Sequence, residues 1–194
     1  MSTPGLLNLN SVGRHKPKNI SPISFNANGL IGSTDELGKC AQEYKADIIM
    51  VQETHLKPHY SHSCKISNFI LLRTDRQGAP KGGTAIYYNR ALYCCPNDTP
   101  PLINLEATAC RLSMTGHGVL ILVSVYLPPK KDLLRSDLEA LFALGDAVIL
   151  FGDFNSRNTN WKCNYTNRNG REMEDLASDL LQYRNSTHPD SFSK

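Results

Sequence analysis

Apolar residues recur along this chain in short runs of strand length, at 23–27, 47–52, 69–73, 84–88, 105–112, 119–127 and 147–151, separated by polar and turn-forming stretches. Seven candidate strands suffice for two sheets. Between them the period changes to that of a helix. Leu37, Cys40, Ala41 and Tyr44 share one face of a first helix, and Ser33-Thr34-Asp35-Glu36 marks its start as a capping box in which Ser33 and Glu36 satisfy reciprocal backbone donors. A second helix fits 134–144, with Leu134, Leu138, Leu141 and Phe142 on one face. A third fits 171–183, where Met173, Leu176, Ala177, Leu180 and Leu181 form a stripe suited to core packing. Some strands are joined through helices and others through turns. That mixture predicts a two-sheet α/β sandwich with flanking helices, not a doubly wound parallel sheet. Residues 1–19 lack a periodic apolar pattern and contain Arg14-His15-Lys16-Pro17-Lys18, so they read as a flexible basic leader to a domain at 20–194.

Composition narrows the class. With 194 residues, 40% hydrophobic, 20% charged, and 13 Gly beside 11 Pro, the chain is neither collagen-like nor wholly disordered, and it can bury a sizeable core. The longest apolar stretch, 119–127, is broken by Ser124 and falls well short of the roughly 20 residues of a membrane helix. The N-terminus shows no basic region followed by an apolar one, so the expectation is an intracellular protein without a signal peptide or a membrane contact. Six scattered cysteines without a Cys-x-x-Cys pair favour reduced thiols over disulfides or zinc ligation. The net charge of +3 becomes informative through its distribution. From 154 to 171 there is no Asp or Glu, whereas Arg157, Lys162, Arg168 and Arg171 fall there with Trp161, Tyr165 and six asparagines that include Asn169. Cations interleaved with aromatics and amides suit phosphate contact plus base or sugar packing. A solvated loop anchored by Trp161 fits the same residues.

Three apolar runs deliver polar groups at their carboxyl ends, where α/β folds build sites. One ends in Glu53, one in Asp153 and Asn155, and one in Asn26 and Asn28. Converged, two carboxylates and three amides would bind one hard divalent cation through oxygen. Such an ion polarises a phosphodiester while the second carboxylate orients or deprotonates the attacking water. Each pair taken alone is also common turn punctuation, as in Asn28-Gly29 and Gly152-Asp153. Gly-x-Ser-x-Gly and Walker sequences do not occur. Of the histidines, His15 belongs to the leader, and His55, His59 and His62 read as solvated loop residues after Glu53. His117 lies between two glycines of a hairpin turn, and His188 lies near the C-terminus.

Ser24-Phe-Asn-Ala-Asn-Gly-Leu30, Gln52-Glu-Thr-His-Leu-Lys57, Arg73-Thr-Asp-Arg76, Gly82-Gly-Thr-Ala85, Ser124-Val-Tyr-Leu-Pro128, Gly152-Asp-Phe-Asn155 and Asn167-Arg-Asn-Gly-Arg171 occur in one order. Together they resemble the endonuclease/exonuclease/phosphatase superfamily, and within it the AP-endonuclease-like domain of jockey-type non-LTR retrotransposons. The resemblance implies Glu53 as the metal carboxylate with Asn28 near the same ion, and Asn26 and Asn155 as amides around the scissile phosphate. It implies Tyr126 as a phosphate contact, Asp153 as the residue that aligns or activates water, and the segment of Arg157, Trp161, Lys162, Arg168, Asn169 and Arg171 as the substrate side. The implied reaction is Mg²⁺-dependent nicking of double-stranded target DNA in the nucleus, with Mn²⁺ a substitute. The freed 3′ hydroxyl would prime a reverse transcriptase domain of the same polyprotein. Phe25 departs from the family's usual Trp, and Asn158 stands where relatives often carry His. The family pattern continues through two further strands and a Ser-Asp-His motif, so the expectation for a chain ending at Lys194 is a fragment with its last strands missing, or a decayed copy; if this chain alone nicks DNA, His188 is the first candidate to test as a replacement for that His. A catalytically dead nucleic-acid-binding remnant and a phosphatase or RNase of the same superfamily are the alternatives.

Overall fold

The computed structural model describes residues 13–58 and 64–187. Among them, eight strands form two four-stranded sheets stacked face to face. The first sheet runs β1 (Pro22–Asn26), β2 (Ile48–Gln52), β4 (Thr84–Asn89), β3 (Phe69–Thr74) from edge to edge. The second runs β5 (Cys94–Asn97), β6 (Glu106–Met114), β7 (Gly118–Tyr126), β8 (Val148–Asp153). Helix α1 (Leu30–Glu43) connects β1 to β2 and α2 (Arg135–Phe142) connects β7 to β8. Only these two pairs are parallel, as crossover connections require, and the rest are antiparallel.

Strand alternation sorts the apolar residues into three layers. Ile48, Met50, Ile86 and Tyr88 of the first sheet meet Cys110, Leu112 and Leu122 of the second between the sheets. Ile49, Val51 and Tyr87 turn outward onto Leu37 and Ala41 of α1. Ala109, Val123 and Val125 turn outward onto Leu138 and Leu141 of α2 and Leu176 of α3 (Arg168–Thr187). β2 is buried on both faces, which is why its run is apolar without alternation.

Local differences from expectation have physical causes. α1 starts at Leu30, a turn before the predicted box, because its first amides find partners elsewhere: Gly29 N donates to Glu53 O (2.9 Å) and Leu30 N to Thr54 O (2.9 Å). Ser33 and Thr34 then lie within the helix, and Thr34 Oγ1 donates back to Leu30 O at 2.8 Å. Tyr44 sits at the helix end, 64% exposed, instead of on the buried face. β5 carries Pro96, a residue that removes one ladder donor and is tolerated because this strand is an edge. α3 begins at Arg168, so the end of the basic segment is its first turn and not a loop; Ala177 and Leu180 of its predicted stripe are exposed. The described part of the predicted flexible leader, 13–19, is tied down: His15 N donates to Ala91 O (2.7 Å), Tyr93 N to His15 O (3.1 Å) and Thr115 N to Pro17 O (2.9 Å). His117 does occupy the β6–β7 turn, with Gly116 and Gly118 at positive φ. Among the described residues no helix is long and apolar enough to cross a membrane.

Candidate active site

The carboxyl ends of β1, β2, β7 and β8 lie at one end of the sandwich. Register places Asn26 beside Gln52 in the first sheet and Tyr126 beside Asp153 in the second. Beneath them a buried polar seam joins the sheets: Gln52 Nε2 donates to Ser124 Oγ (3.0 Å), Ser124 Oγ donates to Val51 O (2.9 Å), and the hydroxyls of Thr84 and Thr108 are 2.7 Å apart. Above the seam, Asn26 Nδ2 donates to Glu53 Oε1 (3.0 Å) and to Asp153 Oδ2 (3.2 Å), so one amide bridges two carboxylates from different sheets. His55 Nε2 lies 3.4 Å from Glu53 Oε2. Burial pushes the Glu53 pKa up, but hydrogen bonds from Asn26, His55 and Tyr126 outweigh it, and the net shift is downward. Burial and the adjacent Glu53 carboxylate push the Tyr126 phenol up to about 12, with Arg76 opposing, so Tyr126 is a hydrogen-bond donor at neutral pH.

The backbone that presents these groups is left-handed at Asn28 (φ 41°), Glu53 (φ 52°), His55 (φ 54°) and Asn155 (φ 46°). Such non-glycine residues cost on the order of 1–3 kcal/mol each and persist where surrounding bonds hold them. Here Asn28 N donates to Asn26 Oδ1 (3.2 Å) and Asn155 N to Asp153 Oδ1 (2.9 Å). Thr54 N donates to Gly83 O (3.2 Å) and His55 N to Gly82 O (2.8 Å), so the 82–83 turn grips the strand end that carries Glu53. Glu106 anchors that turn, accepting from Gly83 N at 2.6 Å and pairing with Arg76 Nε. The Arg76 guanidinium in turn lies 5.7 Å from the Tyr126 ring centre.

The structure therefore brings Asn26, Glu53, Tyr126 and Asp153 into one hydrogen-bonded group, with Asn28 linked through its backbone. Asn155 is adjacent, its Nδ2 donating to Leu127 O at 2.7 Å. The chain turns between Asp153 and Asn155, because Asp153 captures the Asn155 amide. Of the basic segment, Trp161 and Tyr165 are 45% and 51% exposed, Lys162 is exposed, and Arg157 stacks on Tyr165 with Nη1 donating to its hydroxyl at 2.9 Å. Arg171 is exposed. Arg168 is engaged by Asp132 at 2.8 Å. Asn169 is buried and structural, its Oδ1 accepting from Leu133 N (2.9 Å) and its Nδ2 donating to Lys131 O (3.2 Å). Asn158, also buried, donates to Glu174 Oε2 at 2.7 Å. His59, His62 and His188 lie outside the described residues.

Two members of the site escape a reading of the sequence. The sequence reads His55 as a solvated loop residue, yet it faces Glu53; its position two residues after a strand-end carboxylate is the available signal. Arg76 lies in the Arg73-Thr-Asp-Arg76 motif, but nothing local points to its role, since its partner Glu106 is 30 residues away. As a metal centre the donor set suits a hard ion: one carboxylate held ionised, a second beside it, and amide oxygens nearby. Among the described residues no group of three or more His, Cys, Asp and Glu converges, so water and phosphate oxygens would supply the remaining ligands.

Residues 23–193 match the Endonuclease/Exonuclease/phosphatase family. The chain is 25% identical over 140 residues to the RNA-directed DNA polymerase from mobile element jockey of Drosophila melanogaster, covering 71% of this chain. It is 24% identical over 159 residues to the protein of that name from Drosophila funebris, covering 77%. These alignments span 15% and 16% of the length of those relatives. Among solved structures, the endonuclease domain of TRAS1, a telomere-specific non-LTR retrotransposon, superposes with a TM-score of 0.60 at 21% identity, over 80% of this chain and 70% of that one. That likeness establishes the two-sheet fold.

Proposed function

Because the chain belongs to the Endonuclease/Exonuclease/phosphatase family, we propose that it is a divalent-metal-dependent phosphodiesterase domain that nicks one strand of double-stranded DNA. The observation that carries the reading is the Asn26 amide bridging Glu53 and Asp153, because it sets an ion-binding carboxylate and a water-orienting carboxylate on either side of one donor. Glu53, with Asn28 beside it, would hold Mg²⁺ or Mn²⁺. When bound, that ion supplies charge neutralisation at the phosphate and the leaving oxygen.

The chain's own groups do the rest. Asp153 accepts a proton from the attacking water and holds it in line. Asn26, the Tyr126 hydroxyl and His55 spend their donors on the two carboxylates and hold them in place, while Asn155 retains a second amide hydrogen, beside the one given to Leu127, to donate to the phosphate. Trp161, Lys162, Arg157 and Arg171, all exposed, form the substrate side, a set suited to a polymer more than to a small phosphoester. The RNA-directed DNA polymerase named for both relatives gives the freed 3′ hydroxyl a use, as primer for a polymerase domain of a longer protein acting in the nucleus.

Nicking of supercoiled plasmid tests the reading. Wild-type protein with Mg²⁺ should convert plasmid to open circle, and a chelator should abolish the conversion. Glu53→Gln and Asp153→Ala should each lower the rate by on the order of 10²–10³. Equal rates for Asp153→Ala and wild type would overturn it.

A further inference from the structure

The cationic surplus of the molecule lies at the pole opposite the active site, and we propose that this pole is a second nucleic-acid surface, built for a single strand. The stretch 13–19 carries no apolar pattern, yet it is seated between the 91–93 loop and the β6–β7 turn by main-chain bonds. Thr115 adds a side-chain anchor, its Oγ1 donating to Lys16 O at 2.6 Å. Pro17 is buried at that seat, while Arg14, His15, Lys16 and Lys18 are exposed. A spacing of two sets Arg14, Lys16 and Lys18 along one side of an extended backbone.

Charge bookkeeping separates this pole from an ordinary solvated surface. The stretches that build it, 13–19, 90–95 and 111–119, contain no Asp or Glu. Arg90 and Arg111, both exposed, bring the formal charge of these stretches to five, and Asp47 and Asp146, the carboxylates just before β2 and β8 at the same end, leave the pole at three, equal to the net charge of the whole chain. Asp47, the carboxylate at the same end of the first sheet, is engaged by Ser21 N at 3.0 Å. The 154–171 segment, by contrast, has Arg168 paired to Asp132 and Asn158 bound to Glu174.

Two observations identify the ligand class. Tyr93, 48% exposed, is hydrogen-bonded through its N–H to His15 O, which places an open aromatic within the basic strip. Cations track any phosphate backbone, but a ring offered for stacking engages unpaired bases. Distance then makes this a separate site. β6 and β7 pair from Glu106↔Tyr126 to Met114↔Gly118, eight steps of about 3.4 Å, so the pole is about 27 Å from Tyr126. A duplex at the active site and a single strand at this pole can be held at once.

Fluorescence anisotropy of the full chain with labelled oligodeoxyuridylate and oligouridylate, across a salt series, tests the proposal. The triple change Arg14→Gln, Lys16→Gln, Lys18→Gln should reduce the slope of log affinity against log salt by about two units, from roughly 0.7 per phosphate contact on single strands. Tyr93→Ala should weaken binding at fixed salt while leaving the slope intact. Loss with both oligomers means recognition of the shared backbone, and loss with one alone means that the surface reads the sugar; either supports the proposal. An unchanged slope overturns it, as does loss of binding to anionic lipid vesicles with oligonucleotide binding intact. These measurements need no catalysis, so they stand whether or not the plasmid assay supports the nicking reading.

Discussion

Glu53 is pulled in two directions, upward by burial and downward by three hydrogen-bonding neighbours, and the neighbours win. A carboxylate whose folded pKa is depressed contributes stability that is present above its unfolded value and lost as pH falls through the folded one. The difference in unfolding free energy between wild type and Glu53→Gln should therefore hold at neutral pH and shrink only as pH falls below 4.5, measured by urea titration at several pH values. The same substitution should weaken Mg²⁺ binding followed by calorimetry, since Gln keeps the shape and loses the charge. Tyr126 carries the opposite shift: Tyr126→Phe should delete the phenolate absorbance step that lies near 12, above the ordinary 10. Folded-state stability tied to this phenol is complete below pH 10 and lost as pH rises toward 12. Asn26, Glu53 and Asp153 were legible because each ends an apolar run at a strand's carboxyl end. Asn169 was misread as a substrate contact because its partners, the backbone of Lys131 and Leu133, are distant in sequence, and only folding shows that its amide is spent on them.

Elements explain how the site is held. Gly152 lies in β8 one residue before Asp153, and a Cβ there would sit 1.9 Å from Val125 O of β7. Gly152→Ala must push the two parallel strands apart, at a cost of about 1–3 kcal/mol or more in urea unfolding, and nicking should fall further than that cost accounts for because Asp153 moves with the strand. The basic segment gives a second test at this scale. Replacing Arg157, Lys162 and Arg168 together with Gln removes two available phosphate contacts, since Arg168 already pairs with Asp132. The salt slope of duplex binding should fall by about 1.8, not by about 2.7, and Arg168→Gln alone should leave it unmoved. At element scale, strands and helices were legible from their periods, except where a tertiary partner overrode a local signal. α1 begins before its sequence cap because the Glu53 loop supplies carbonyls to its first amides. β5 was hidden by Pro96, which a lone strand would reject and an edge accepts.

At the scale of the whole molecule the chain folds in two consecutive halves. Strands β1 to β4 complete the first sheet before the chain leaves Asn89, and β5 to β8 complete the second by Asp153. Helix crossovers and hairpins made the two-sheet class readable from the sequence, but nothing local specified how the sheets face each other. The seam of Gln52, Ser124, Thr84 and Thr108 fixes that facing. Since Asn26 reaches Asp153 across 127 residues, the proposed site is assembled only while the halves are docked. Each sheet has its own ladder and its own outer helix layer, the kind of unit between which sub-global opening occurs. Catalysis is then a more sensitive gauge of this docking than any spectroscopic measure of secondary structure. In rising urea, nicking should vanish while circular dichroism still reports both sheets, and Gln52→Leu, which leaves Ser124 without its donor, should widen the interval between the two transitions.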